Sequence, residues 1–329
     1  MRLQGPTKKA SEGQTRLESG ILAHSEVPMF ELAKSEENHI SLAVLIHAFT
    51  LGPESMSHVE NSVRYSKNNV HVIAPKLPLG MFSTADANVL AWRVLDEIES
   101  QVRFRADNKW PEFEEIVFIG HSFGALIARK VYVLACGETP EAPFEGHEEV
   151  PKMERREWTD RVTRLILLAG MNRGWSITHH LSVRKAIQLS LGSVLGHILL
   201  SVFKKRLVIF QARRGSTFLT QLRLQWLALA ANLRREGIRM ATTIQLLGTI
   251  DDLVSPDDNI DLVTGRDFLY LDVPHSGHTN VIELDGTVPG GADGGYLRPL
   301  CWKVNKRFAP VTYCRRIRLW PRLGQKLRT

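Results

Sequence analysis

Six short and almost continuously apolar runs constrain the fold of this chain more than any other feature of its sequence. Runs of this length, rich in Val, Ile and Leu, are typical of strands buried on both faces of a parallel sheet. The stretches Ala85–Val102 and Ala125–Ala135, which lie between runs, have helical patterning. This alternation predicts an α/β fold with a mostly parallel central sheet flanked by helices. The six runs are Leu42–Phe49, Val70–Pro75, Ile116–Gly120, Val162–Gly170, Thr243–Gly248 and Phe268–Val273.

The stretch from Asn172 to Arg239 interrupts this alternation. It has helical patterning without a convincing strand and lies between two strands, so we interpret it as a helical cap inserted into the core. The predicted organisation is therefore a core of residues 1–171 and 241–290, a cap or lid of residues 172–240, and a basic tail of residues 291–329. The segment 20–43 could hold one or two further strands.

One part of the cap, Ala186–Phe203, is mainly apolar and has basic residues on both sides. It reaches the lower length limit of a membrane span, roughly 18 residues. Polar residues such as Gln188 and His197 interrupt it, and central polar groups are costly in a bilayer. A cap helix is the preferred interpretation, and we expect no stable membrane insertion.

The formal net charge of +7 is concentrated at one end of the chain. Ten Lys or Arg and no acidic residue lie between Leu297 and Thr329, so the remaining chain is mildly acidic. A nucleic-acid-binding domain would carry basic residues along a face of its fold, and nucleic acid is therefore not an expected partner.

Cysteine usage and the N-terminal segment bear on the compartment. Cys136, Cys301 and Cys314 are too few and too scattered for a disulfide framework or a zinc site. The segment Met1 to Gly20 is polar and lacks the apolar stretch of a signal peptide. We therefore expect a cytoplasmic protein with no metal and no cofactor. The oligomeric state is not indicated by the sequence.

The strongest chemical signal is the segment Glu115 to Arg129, where an apolar strand runs into Gly-His-Ser-Phe-Gly and then into a helix. The pentapeptide alone recurs by chance, but its strand–turn–helix context is specific. A serine on such a turn has strained backbone angles, and its neighbours two positions away must be small. The turn would lift the hydroxyl beside a helix N-terminus, where N–H groups support negative charge. Ser122 is therefore the predicted nucleophile.

A serine nucleophile needs a base, and the base needs an orienting acid. In this architecture the chain order is serine, acid, histidine. Asp251 and Asp252 follow the fifth apolar run, and His275 and His278 follow the sixth. Ligand chemistry in open α/β sheets lies at these carboxyl ends of strands. Either aspartate could instead merely cap the turn that follows it.

From about residue 42 to about residue 284 the chain resembles the α/β-hydrolase superfamily of serine hydrolases, esterases and lipases among them. Its turn Gly248-x-x-Asp251-x-x-Val254 resembles the acid-bearing turn of that superfamily, which favours Asp251 over Asp252. Gly277-His278-Thr279-Asn280 resembles the segment that carries the base, which favours His278 over His275.

The oxyanion hole of this superfamily is formed by two backbone N–H groups. One is expected from Phe123, the residue after the nucleophile. The segment His47-Ala48-Phe49 resembles the superfamily's His-Gly-x loop, which makes Phe49 the second expected donor. Alanine replaces the glycine here, and Ala48 would cost energy if the loop required a positive φ at that position.

The segment Leu167 to Trp175 leaves the fourth apolar run at the same edge of the sheet. Asn172, Arg173 and Trp175 could line the substrate site, since functional residues concentrate in such loops. The alternative is a structural turn in which Trp175 packs under the cap.

These features predict a serine hydrolase that cleaves an ester through a Ser122–His278–Asp251 triad and an acyl-enzyme intermediate. The apolar cap favours a small-molecule ester with an apolar acyl or alcohol group, which includes lipid-like esters. The alternative is a catalytically idle binding or scaffold protein with the same fold, for which Ala48 is the only evidence.

Overall fold

A computed structural model of the protein describes residues 40–67, 69–138, 153–175, 207–254 and 268–283. Each predicted apolar run coincides with one strand to within a few residues. The strands are β1 (Ser41–Ile46), β2 (Val70–Ile73), β3 (Glu115–His121), β4 (Val162–Leu168), β5 (Thr242–Gly248) and β6 (Phe268–Val273). The helices are α1 (Ser57–Ser66), α2 (Ala87–Asp107), α3 (Phe123–Ala135), α4 (Val208–Gln211) and α5 (Thr217–Arg235).

The six strands form one parallel sheet in the order β2-β1-β3-β4-β5-β6. This confirms the predicted α/β fold with helices flanking a parallel sheet. Because all strands run in the same direction, the loops that follow them emerge at one edge of the sheet. Ile46 at the end of β1 pairs with Gly120 of β3, and His121 pairs with Leu168 of β4. The loops after β1, β3 and β4 are therefore neighbours.

Burial explains why the strands lack a polar–apolar alternation. Every residue of β1 and β3 is buried, as expected for central strands covered on both faces. Helix α2 is capped at its N-terminus by Asp86, whose carboxylate accepts hydrogen bonds from the N–H groups of Asn88 and Val89. All residues of α3 are buried, because α3 packs against β3 and lies between α2 and α5. The helix that follows the predicted nucleophile is thus the most enclosed of the described helices.

Helix α5 lies in the segment predicted as a cap and packs against the core. Its apolar face, which includes Leu222 and Trp226, packs into the hydrophobic core. The Arg129 guanidinium of α3 lies 4.7 Å from the Trp226 ring centroid, and the Lys130 ammonium donates to the Gln225 side chain at 2.7 Å. The helical pattern of the sequence places residues 217–235 in the cap, and the boundary of the cap stays a prediction. By its packing, α5 belongs to the helical layer that covers the sheet.

Three further predictions from the sequence concern residues that lie outside the described part of the chain. These are the apolar segment Ala186–Phe203 of the cap, the basic tail of residues 291–329, and almost all of the segment 20–43 that could add strands. Among the helices that the structure describes, none combines the length and the apolarity needed to cross a bilayer.

Candidate active site

The turn between β3 and α3 has the strained geometry that the pentapeptide predicts. Ser122 adopts φ 53° and ψ −113°, which is unusual for a residue with a side chain. A β-carbon on Gly120 would lie 2.5 Å from the Gly124 carbonyl oxygen, and one on Gly124 would overlap the carbonyl of Ile46. The N–H of Ser122 donates to the Leu168 carbonyl at 2.9 Å, which ties the turn to β4. Both glycines are therefore required by close packing.

A histidine bridges the serine and an aspartate. His278 Nε2 lies 2.8 Å from Ser122 Oγ, and His278 Nδ1 lies 3.0 Å from Asp251 Oδ2. All three groups are buried: the side chains of His278 and Asp251 are 7% and 1% exposed, and Ser122 is 5% exposed. In the neutral tautomer that this arrangement favours, Nδ1–H donates to the carboxylate and Nε2 accepts from the hydroxyl. The serine, histidine and aspartate predicted from the sequence thus come together at the carboxyl edge of the sheet.

The Asp251 carboxylate serves two neighbours at once. Its Oδ1 accepts hydrogen bonds from the N–H groups of Leu253 and Val254, at 2.8 and 2.9 Å. This is the turn-capping role that the sequence left open as an alternative. Because Oδ2 is still available to His278, the capping bonds fix the orientation of the carboxylate toward the imidazole. Capping and orientation of His278 are therefore not alternatives for Asp251.

The rival histidine, His275, is exposed and does not meet the serine. It has a positive φ of 59°, and its backbone N–H donates to Thr249 Oγ1 at 2.9 Å. The N–H of Ile250 donates to the Ser276 carbonyl at 3.0 Å, so the loop carrying His275 and His278 lies against the loop carrying Asp251. A β-carbon on Gly248 would overlap the Ser276 carbonyl. Glycine is therefore required at the start of the acid loop, by which we mean residues 248–254.

The expected oxyanion donors follow two neighbouring strands, β1 and β3. Phe123 is the first residue of α3, and the N–H of a first helical residue has no partner within its helix. The N–H of Leu51 donates to the Ala48 carbonyl at 3.3 Å, closing a turn with Phe49 and Thr50 at its centre. The N–H of Phe49 is not used by this turn, since Phe49 is its second residue. The role of both amides in oxyanion binding stays a prediction.

The anticipated strain at Ala48 is absent. Among the described residues, the positive φ in this loop belongs to Thr50, at 63°, which is the third position of the turn, as in a type II turn. The N–H of Thr50 donates to the Leu79 carbonyl at 2.7 Å, which holds that conformation. Ala48 is buried and needs no glycine, so its departure from the family pattern carries no such cost.

Two buried histidines that the sequence analysis did not single out hold the loops around the site. His47 Nε2 accepts from the N–H of Leu77 at 3.1 Å, and its Nδ1 lies 3.0 Å from the Ala48 carbonyl. His121 Nε2 lies 2.9 Å from the carbonyl oxygen of His278. Burial lowers the pKa of His47, and burial together with the nearby His278 lowers that of His121 to about 3. Their positions beside Phe49 and Ser122 were visible in the sequence, but no sequence signal shows their burial.

The three predicted substrate-binding residues lie after β4. The Asn172 side chain donates to Gln245 at 3.0 Å, and the Trp175 indole N–H donates to the Ile209 carbonyl at 2.9 Å. Both residues are buried, whereas Arg173 is half-buried. The internal bonds of Asn172 and Trp175 favour the structural interpretation of this segment. Substrate binding by these residues stays a prediction. Within the described part of the chain, no group of three or more His, Cys, Asp or Glu is arranged to hold a metal ion.

Comparisons with known proteins agree with this architecture. The model of a family described as the alpha/beta hydrolase family matches residues 43–286. No curated protein matches the chain. Similar solved structures include esterase B from Lactobacillus rhamnosis, with 12% identity, a TM-score of 0.49, and coverage of 80% of this chain and 75% of that one. A lipase-esterase related protein from Clostridium acetobutylicum has 11% identity, a TM-score of 0.42, and coverage of 80% and 94%.

The family assignment depends on the family match and not on these distant structural likenesses. The match spans well over half of the chain and includes every residue of the candidate site. This chain belongs to the alpha/beta hydrolase family.

Proposed function

We propose that this protein is a serine hydrolase that cleaves carboxylic esters through an acyl-enzyme intermediate. The observation that carries the proposal is the His278 imidazole, which lies between Ser122 Oγ and Asp251 Oδ2 at 2.8 and 3.0 Å. The family match supports hydrolytic chemistry in general. The ester substrate and the role of each residue are the proposed part.

In the first half of the reaction, Ser122 Oγ attacks the ester carbonyl carbon while His278 Nε2 takes the hydroxyl proton. Asp251 stabilises the imidazolium through its bond to Nδ1. The backbone N–H groups of Phe49 and Phe123 donate to the oxyanion. The tetrahedral intermediate then collapses, the bond to the alcohol oxygen breaks, and His278 gives its proton to that oxygen.

In the second half, water attacks the carbonyl of the Ser122 ester while His278 Nε2 takes one of its protons. Collapse of the second tetrahedral intermediate breaks the bond to Ser122 Oγ, which regains the proton from His278. The products are one alcohol and one carboxylic acid, and the enzyme returns to its starting state.

Exposed apolar side chains around the carboxyl edge of the sheet support an ester with an apolar acyl or alcohol group. They lie on the loops that follow β1, β2 and β5: Leu51, Met81, Phe82 and Ile250, which are 37%, 62%, 64% and 65% exposed. Ser122 lies at the same edge. Surfaces lined by such side chains favour apolar ligand groups.

Labelling with a fluorophosphonate probe tests the nucleophile. We expect the wild type to be labelled and the Ser122→Ala variant to remain unlabelled. A Ser55→Ala variant is the matched control, because Ser55 is a serine outside the site, and it should label as the wild type does. Absence of labelling of folded wild-type protein would contradict the proposed function. It would favour a catalytically idle scaffold with the same fold. The strain expected at Ala48, which would have supported that alternative, is absent.

A chain-length series of p-nitrophenyl esters tests the substrate class. Each methylene buried in the transition state is worth about 0.8 kcal/mol, or roughly a fourfold gain in kcat/KM. We expect kcat/KM to rise from acetate to octanoate, and Phe82→Ser to reduce this gain without changing acetate hydrolysis. Phe104→Ser, near the end of α2 and at the opposite edge of the sheet, should have no effect. A flat series in the wild type would contradict an apolar substrate.

A further inference from the structure

The residue before the nucleophile, His121, connects the turn of Ser122 to the backbone of His278. Its side chain is buried, and its Nε2 lies 2.9 Å from the His278 carbonyl oxygen. A carbonyl oxygen only accepts hydrogen bonds, so Nε2 must carry the proton. The hydrogen bond joins residues 157 positions apart in the chain, and it reaches the main chain of the base and not its ring.

The other ring nitrogen of His121 fixes its charge. Nδ1 is buried and has no hydrogen-bond partner among the described residues. Protonation there would bury an unsatisfied donor together with a positive charge, which is costly. It would also put that charge beside His278, whose ring centroid is 5.5 Å away. Burial holds the pKa of His121 at about 3, so the ring is neutral when His278 carries a proton.

The loop that carries His278 is held from its other side by the acid loop. Three hydrogen bonds join them: from the N–H of Thr249 to the Val273 carbonyl, from the N–H of Ile250 to the Ser276 carbonyl, and from the N–H of His275 to Thr249 Oγ1. All three end at residues 273–276, before His278. Ser122 and Asp251 contact the ring of His278, whereas His121, the last residue of β3, contacts its main-chain carbonyl.

We propose that His121 is a positioning residue, which holds the main chain of His278 so that its imidazole spans Ser122 and Asp251. This inference rests on the proposed hydrolase function. His121 does not act as a base. Its Nε2 already carries a proton, and its lowered pKa opposes the uptake of a second proton at Nδ1. Its contribution is geometric. A displacement of His278 by about 1 Å would lengthen the hydrogen bonds from its imidazole to Ser122 and Asp251, and such a misplacement can cost about 100-fold in rate.

Two substitutions separate positioning from packing. His121→Leu fills a similar volume and removes the donor, whereas the amide of His121→Gln can place an N–H near the position of Nε2. We expect His121→Leu to reduce kcat by at least tenfold with KM unchanged, and His121→Gln to stay within about threefold of the wild type. His275→Asn is the control in the same loop, since Asn tolerates the positive φ of 59° and that side chain is exposed.

Urea unfolding of each variant accompanies the kinetics. If folded His121→Leu retains wild-type kcat and loses only stability, the residue is structural and the inference is wrong. If His121→Gln loses as much kcat as His121→Leu, the hydrogen bond is not the cause and the inference is equally wrong.

Nitrogen-15 NMR of histidine-labelled wild-type protein tests the same bond without relying on activity. The His121 ring, assigned by its absence in His121→Gln, should show a proton on Nε2 and no titration between pH 5 and 8. A proton on Nδ1, or titration near pH 6.5, would overturn the inference even if the enzyme is active. If the protein neither hydrolyses esters nor reacts with fluorophosphonate, the proposed function fails. In that case the NMR result still decides the His121 bond.

Discussion

Asp251 illustrates how a single side chain can satisfy a structural and a chemical requirement at once. Oδ1 caps the turn that contains Leu253 and Val254, and Oδ2 receives the His278 imidazole. The two N–H donors stop the carboxylate from rotating, so the second oxygen faces the histidine without further entropic cost. Asp252 is its neighbour in sequence, but the two ring nitrogens of His278 face Asp251 and Ser122.

The substitution Asp251→Asn separates these two contributions. The amide retains an oxygen that can cap the turn, but it cannot stabilise the imidazolium of His278. We expect the free energy of unfolding to change by less than about 1 kcal/mol and kcat to fall by about 10³–10⁴. Ester hydrolysis and urea unfolding measure the two quantities. Asp252→Asn should remain within a few-fold of wild-type kcat, and a larger loss there than in Asp251→Asn would assign the acid to Asp252.

Trp175 provides a test of the segment after β4. The indole N–H donates to the Ile209 carbonyl, and the ring packs near Phe210. Trp175→Phe removes the donor and should lower the free energy of unfolding by about 1–2 kcal/mol while KM stays unchanged. Thermal or urea unfolding and a KM measurement check this. A raised KM at unchanged stability would instead support substrate binding by Trp175.

At the scale of elements, the site depends on how closely α3 approaches β1. Gly124, in the first turn of α3, lies against the carbonyl groups of Ile46 and His47, where β1 ends and the loop of Phe49 begins. The same glycine that makes room for the nucleophile turn thus brings the loop of Phe49 against the start of α3, where Phe123 lies. The end of β1 and the start of α3 can lie in contact because residue 124 has no β-carbon.

Gly124→Ala should therefore damage both stability and activity. The new methyl would overlap backbone atoms, which cannot move without shifting β1 or α3. Overpacking of this kind costs about 3 kcal/mol, and we expect kcat to fall as the loop of Phe49 is displaced. Gly80→Ala is the matched control, since nothing lies within 4 Å of a β-carbon at that position. Equal stability of the two variants in urea would contradict the packing argument.

At the scale of the whole molecule, His47 and His121 make the folded state sensitive to acid. Both are buried, and burial lowers the pKa of each below its ordinary value near 6.5. The unfolded chain therefore binds more protons than the folded protein as the pH falls below that value. The stability that the neutral rings contribute is complete above pH 6.5 and is lost progressively toward the folded pKa, which is about 3 for His121.

We expect the free energy of unfolding of the wild type to fall more steeply than that of His121→Gln between pH 6.5 and pH 4. One additional proton on the unfolded chain corresponds to at most about 1.4 kcal/mol per pH unit. Urea unfolding at several pH values measures the two slopes. His275→Asn should keep the wild-type slope because His275 is exposed. Identical slopes for the wild type and His121→Gln would show that His121 is not buried in its neutral form.

Local pattern was sufficient for the fold and for the neighbourhood of the site. Apolar runs buried on both faces identify parallel strands without any long-range information, and all six runs became strands. The strand, pentapeptide and helix around Ser122 predicted the turn, because only small residues fit two positions from a serine in that conformation. The surface that α5 covers was not predictable in this way, since its amphipathic pattern does not reveal which neighbour it packs against.

The chemical groups that reach the carboxyl edge of the sheet could therefore be predicted from the sequence alone. The fold selects one member of each pair: His278, and not His275, meets Ser122, and Asp251 meets His278. It also assigned the positive φ to Thr50 and gave His121 its partner. Periodicity and turn chemistry depend on interactions over a few residues. The direction of a loop side chain depends on contacts with segments far away in the chain, which a local pattern does not contain.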